Sequence, residues 1–242
     1  MDLREKETSR NNPISRYYEY HAKKAIFSYY DKETKEDVFT DTLKIMHLSD
    51  RGCITGWQEI KEGMNRRMSS NMRKTKSSDP FKVWCNKKII FEGPYKENKE
   101  KIENLGGSYT NAIFCLVRGE GGVPLFCRLD IKGTSIGAYG EFQDEEGVAN
   151  IKGKWITLSK GKPKSANGSK WFLPAFTLSE STKKDLEDLY SLYDNVLIPY
   201  LGSTTSSTSA EEATESSAPI ESKPLEEETS SFPKGDMVDL PF

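Results

Sequence analysis

Between Ala25 and Tyr200 the apolar residues recur at every second position or in short runs rich in Val, Ile, Phe, Tyr and Trp, and clusters of Gly, Asn and Asp separate them. A side-chain period of two matches a pleated strand, and β-branched and aromatic groups pack well on that surface. This pattern predicts a mainly β body. Expected strands cover residues 25–30, 37–48, 53–58, 81–85, 88–93, 108–118, 124–131, 150–160 and 170–176. FKVWC-NK-KIIFEG and CLVRGEGGVPLFCRL read as hairpins, because Asn86 and the Gly119 to Gly122 cluster supply turn chemistry.

Helices are fewer. Residues 96–106 end on a glycine pair suited to a C-cap. Residues 181–201 open on Ser181 as a candidate N-cap and set Leu186, Leu189, Leu192, Tyr193, Val196, Leu197 and Tyr200 along one stripe, as a brace on the sheet would. A short helix is expected over 134–146. Strands at short spacing with one helix between hairpins favour an OB-fold-like barrel with insertions and a C-terminal helix, and a β-sandwich is the alternative.

The 242 residues divide by composition. Residues 1–24 read as a polar N-terminal arm, 25–202 as the barrel domain, 203–231 as a disordered acidic linker and 232–242 as a docking tip. The net charge of −2 conceals this division. From Ser203 to Phe242 nine acids face only Lys223 and Lys234, a balance of −7, which leaves the rest of the chain at +5. The linker is mostly Ser, Thr, Glu, Ala and Pro, too poor in apolar groups to offset its ordering entropy. Its end differs: Met237, Val238, Leu240, Pro241 and Phe242 stand among Asp236, Asp239 and the terminal carboxylate. Such groups gain nothing from water and fit a short partner-docking motif, with a ring in a pocket and carboxylates on a basic rim.

Within the body, residues 61–78 contain Arg66, Arg67, Arg73, Lys74 and Lys76 with no acid after Glu62, and read as a basic, mobile loop. Trp57 precedes it and Lys82 and Trp84 follow. Phosphates attract cations and unpaired bases stack on rings, so cations flanked by aromatics suit single-stranded nucleic acid. In FKVWC, alternation puts Phe81, Val83 and Cys85 on one face and Lys82 with Trp84 on the other, which makes Trp84 a stacking candidate. Trp155 and Trp171 join the aromatic set, either as stacking groups or as core. Lys87, Lys88, Arg118, Arg128, Lys132, Lys152, Lys154, Lys160, Lys162 and Lys164 are further candidate contacts in an electrostatic groove.

The chain has no Walker loop and no HExxH. Dispersed carboxylates such as Asp130, Glu141 and Asp144 leave a nuclease as a distant alternative. Cys53, Cys85, Cys115 and Cys127 form no CxxC and lie beside no histidine at metal-ligand spacing, so structural thiols are expected and no cofactor or metal. No segment reaches the roughly 20 apolar residues of a membrane span, and the N-terminus lacks a signal-peptide core, so a cytoplasmic protein without membrane contact is expected.

The basic β body, the stacking candidates and the acidic tail ending DLPF resemble the single-stranded DNA-binding proteins of bacteria and their phages. In that family the tail closes on acids followed by Ile/Leu-Pro-Phe, matched here by Asp236, Asp239, Leu240, Pro241 and Phe242. LSDRGCITGW, GGSYTNAIFCLV, IKGTSIGAYGEF and KWFLPAF are similar to the body of a phage- or plasmid-encoded counterpart. The resemblance implies a non-enzymatic OB-fold protein that coats single-stranded DNA in replication, recombination and repair. It also implies that the tip recruits partner enzymes and competes with DNA for the groove. The body is longer than a single bacterial OB domain, so the oligomeric state is not carried over. The rival expectation is an adaptor or DNA mimic that acts through the acidic tail without binding nucleic acid.

Overall fold

A computed structural model describes residues 12–61, 64–75 and 78–206. The order along the chain is β1 (Arg16–His21), β2 (Ile26–Asp31), β3 (Glu36–Thr40), β4 (Leu43–Lys61), β5 (Met64–Ser70), β6 (Phe81–Cys85), β7 (Lys88–Gly93), α1 (Tyr95–Asn104), β8 (Gly107–Arg118), β9 (Pro124–Lys132), α2 (Thr134–Glu146), α3 (Val148–Ile151), β10 (Trp155–Ala166), β11 (Ser169–Ser179), α4 (Lys183–Leu192) and α5 (Ile198–Ser206). A single π-helical turn, Tyr193–Leu197, joins the last two helices.

All strands belong to one mixed sheet, ordered β3-β2-β1-β9-β8-β4-β5-β6-β7, with β10 and β11 branching from β4. β4 explains the branch. Its first residues, Leu43 to Met46, pair with β10, and its last, Thr55 to Lys61, pair with β5, while β8 runs along the other edge. From β1 the strands pass through β9, β8, β4 and β10 to β11. The Phe172 amide then donates to the Ala22 carbonyl at 2.9 Å, and the Tyr20 hydroxyl to the Phe172 carbonyl at 3.0 Å, tying β11 back to the end of β1.

The main core fills the space these six strands enclose. Tyr18, Tyr20, Ile45, Ile113, Cys115, Leu129, Ile156 and Leu158 point inward, and Tyr139 and Phe142 of α2 close one side. A second cluster, Ile54, Met68, Phe81, Val83, Phe91 and Ile102, packs α1 under β5 to β7. The opposite face of the sheet carries the C-terminal helices: Met46, Leu116 and Trp155 meet Leu189, and Phe114 and Phe126 meet Leu197.

Several expectations are corrected. The polar N-terminal arm contains β1, which pairs parallel with β9 and buries Tyr18 and Tyr20 while Glu19 faces out. Its alternation is short and set among charges, and its partner is remote in sequence. Much of the basic loop is β5, an ordered strand paired on both sides. The strand expected over 37–48 breaks at Asp41 and Thr42, and its second part runs on through 53–58 as one strand, β4, bulged between His47 and Ser49. Gly52 and Gly56 lie inside it because neighbours come close: a Cβ at Gly52 would lie 2.3 Å from the Tyr109 hydroxyl, and one at Gly56 2.1 Å from the Gly106 carbonyl oxygen. Residues 148–151 are helical, and β10 begins only at Trp155.

The last helix starts one residue later than expected. Thr182, not Ser181, is the N-cap, and its hydroxyl accepts from the Asp185 amide while Asp185 accepts from the Thr182 amide, a capping box. The hairpins β6–β7 and β8–β9, and helices α1 and α2, lie where the sequence pattern puts them. At the β6–β7 turn Asn86 and Lys87 both take positive φ, as a two-residue hairpin loop requires.

Candidate nucleic-acid interface

Directly opposed residues in an antiparallel ladder project from the same face. On the outward face of β4, β5 and β6, Trp57 stands opposite Arg67, and Thr55 and Trp84 both stand opposite Ser69. Trp57 is 58% exposed and Arg67 is exposed, while Trp84 is half-buried. From strand spacing and rise, the Trp57 and Trp84 Cα atoms lie about 12 Å apart, with Arg67 on the strand between them. Ile89, opposite Trp84 on β7, is also exposed and extends the apolar strip.

This is the geometry alternation predicts for FKVWC: Phe81, Val83 and Cys85 are buried, and Lys82 and Trp84 turn outward. Lys82 pairs with Glu92 across β7 at 3.3 Å, so part of its charge is answered within the protein. Arg66 and Lys74 are exposed, as are Lys87 and Lys88 at the hairpin turn. A shallow groove beside Trp57 is lined by Gln58, Glu59, Asn65 and Asn104. The assembled face offers an open ring, a second ring edge and the exposed Arg67 between them, the elements a base and its phosphate need.

Other candidates fall elsewhere. Arg73 bridges Gly52 through its backbone, and its guanidinium lies 3.4 Å from the centre of the buried Phe81 ring, on the core side of the sheet. Burial holds its pKa below the ordinary value, with Tyr109 and Asp79 pulling the other way. Arg128 is 6% exposed; it holds Asp130 at 2.6 and 3.0 Å and donates to Cys53 Sγ at 3.2 Å. Burial opposes its charge, but Asp130, followed by Cys53, raises its pKa well above the usual arginine value. Trp155 is 5% exposed beneath α4 and donates from Nε1 to Asp185 at 3.1 Å. Arg128 and Trp155 present no free group to a ligand, whereas Arg73 is half-buried and its Nε and Nη1 have no hydrogen-bond partner.

Arg118 is bound on both sides, to Asp185 at 2.6 Å and Asp188 at 2.7 Å. Lys132 pairs with Glu19 at 2.7 Å in an exposed position. Trp171 is half-buried opposite Lys164, well removed from Trp57 along the sheet. Lys76 and the tip residues Asp236, Asp239, Leu240, Pro241 and Phe242 lie outside the described residues.

Sequence reading named Lys160 as a groove cation and passed over the ring beside it. Phe172 has the Lys160 ammonium 4.1 Å and the Lys170 ammonium 5.6 Å from its ring centre. Pairing of β10 with β11 brings these residues together across a bulge, so the chain shows the lysines but not the ring they flank. Among the described residues no group of three His, Cys, Asp or Glu side chains is placed to hold a metal ion. All four cysteines are free and buried. No described helix is long and apolar enough to cross a membrane. No protein-family model, curated protein or solved structure matches the chain.

Proposed function

We propose that the chain is a non-enzymatic, sequence-independent single-stranded DNA-binding protein that coats strands in replication and recombination and recruits partner enzymes through residues 232–242. The observation that carries this reading is the opposition of exposed Trp57 to exposed Arg67, with Trp84 diagonal to them on the next strand. Stacking contributes roughly 1–3 kcal/mol per base without selecting among bases, and a cation between the rings meets the backbone phosphates.

An OB-like reading of the barrel is supported by the β4-β8-β9 meander, the helix α2 after β9 and the return of β10 to β4. Its departure from a simple five-stranded barrel is the parallel partner of β9, which is the N-terminal β1. The tip belongs to the proposal on chemistry alone: acids and a terminal Leu-Pro-Phe suit a partner with a basic-rimmed apolar pocket.

Fluorescence anisotropy of a labelled thirty-base poly-dT tests the reading. The full chain should bind tightly at low salt and more weakly at moderate salt, and Trp57→Ala with Arg67→Ala should weaken binding at least tenfold. Deletion of 232–242 should leave DNA affinity equal or higher while abolishing capture of replication proteins. A full chain that ignores the oligonucleotide, with a tail that still captures partners, would replace this reading by the adaptor one.

A further inference from the structure

The long strand β4 has patches of the same chemistry at its two ends. The first is the Trp57, Arg67 and Trp84 face. The second is the hairpin β10–β11. From Trp155 to Ser179 there is no acid, and Lys160, Lys162, Lys164 and Lys170 are all exposed. Residues 162–168 are exposed without a break, so the hairpin end stands clear of the body, and Lys160 and Lys170 flank the Phe172 ring.

The two patches leave β4 in opposite directions. β10 pairs Trp155 with Met46 and Leu158 with Leu43, then continues past the start of β4, whereas Trp57 lies near its other end. At roughly 3.3 Å per residue, up to about 45 Å of strand separates Leu43 from Trp57. Between them on the outward face sit the C-terminal helices, packed through Leu189 on Met46 and Trp155 and through Leu197 on Phe114.

That strap has no surplus of cations. From Glu180 to Leu201 five acids outnumber Lys183 and Lys184. The neighbouring cations Arg118 and Lys154 are already engaged by Asp185, Asp188 and Glu180. A phosphodiester chain crossing it directly would lack counter-charges there. Two separate contacts therefore suit the charge distribution better than one continuous groove.

Resting on the single-stranded DNA reading above, we infer that one chain holds two segments of single-stranded nucleic acid at once and so bridges two strands. The hairpin contacts one through its lysines and Phe172, and the Trp57 face contacts the other.

The test uses the full chain with ten-base poly-dT carrying either a donor or an acceptor dye. Bridging predicts two oligonucleotides per chain by sedimentation, and energy transfer that rises and then falls as protein is added in excess. Replacing Lys160, Lys162, Lys164 and Lys170 by Ala should abolish the transfer and leave one oligonucleotide per chain at the remaining site; circular dichroism checks that the variant is folded. One oligonucleotide per wild-type chain, or transfer that survives the four substitutions, overturns the bridging inference while the DNA-binding reading stands. A wild-type chain that binds no oligonucleotide overturns both.

Discussion

The indole Nε1 of Trp155 donates to Asp185 Oδ2 at 3.1 Å, joining the first residue of β10 to the first turn of α4. The same carboxylate receives Arg118 at 2.6 Å and the Thr182 amide and hydroxyl at 2.9 and 2.8 Å. One acid thus caps a helix, orients an indole and closes an ion pair. Burial works against its charge, yet Arg118, followed by the Thr182 and Trp155 hydrogen bonds, holds its pKa well below the usual carboxylate range.

Asp185→Ala should destabilise the fold by about 2 kcal/mol, from the lost cap and the stranded indole and guanidinium. Because the folded carboxylate is the stronger acid, its contribution is complete above the unfolded pKa of about 4 and declines as pH falls below it. Urea denaturation at pH 7 and at pH 3 checks this. The gap between wild type and variant should narrow at the lower pH, and an equal gap would remove the carboxylate's charge from the account.

Two tryptophans should behave in opposite ways. Trp155→Ala empties a buried site and should cost about 3–5 kcal/mol, whereas Trp57→Ala removes an exposed ring and should stay within about 0.5 kcal/mol of wild type. Thermal unfolding separates them. Comparable losses would mean that Trp57 is packed in solution and unable to stack on a base.

Arg128 and Asp130 form a pair that cannot be broken from one side cheaply. Asp130→Asn leaves a buried guanidinium without its counter-charge and should cost about 3–5 kcal/mol. Arg128→Met combined with Asp130→Asn should recover most of that loss, since neither residue is then left charged. A double variant no more stable than Asp130→Asn alone would show that the hydrogen bonds, and not the charge balance, hold this site.

The thiols give a pH prediction. Burial pushes Cys53 up to about 11, with Arg128 opposing and Asp130 adding to the rise, and burial pushes Cys127 up to about 12. A thiol-specific reagent should therefore react slowly with the native chain at pH 8, faster as pH rises toward 10, and with all four cysteines once denaturant is added. Rapid native labelling at pH 8 would show that the fold opens readily.

The arginine slope at the interface is a separate measurement. Arg67→Ala should lower the magnitude of the slope of log K against log salt by about 0.7, the contribution of one phosphate contact on single-stranded DNA. An unchanged slope at reduced affinity would place Arg67 against a base or a ring instead of a phosphate.

Local chemistry made part of this structure readable in the chain. FKVWC alternates without interruption, so Trp84 was correctly set on the outward side with Lys82, and Asn86 fixed the hairpin that follows. The α4 stripe was equally visible, since helix periodicity and caps act over a few residues. Trp155 was ambiguous for a physical reason: its cover, Leu189 and Asp185, comes from a helix about thirty residues later. Arg128 looked like any surface cation until folding placed Asp130 and Cys53 around it. Met64 to Ser70 read as a loop because its two exposed arginines mask a strand whose evidence is the ladder on either side.

Patterning, composition and charge segregation by themselves determined a mainly β body, its hairpins and helices, and an acidic C-terminal stretch set against a basic remainder. Only the tertiary structure decided that β1 enters the sheet beside β9, that β4 serves both β10 and β5, and that Trp57 faces solvent while Trp155 does not. Periodicity reports which side of its own strand a residue takes. Whether that side meets water or another element depends on pairings between distant segments, and those form only where the whole chain can bury its apolar faces together.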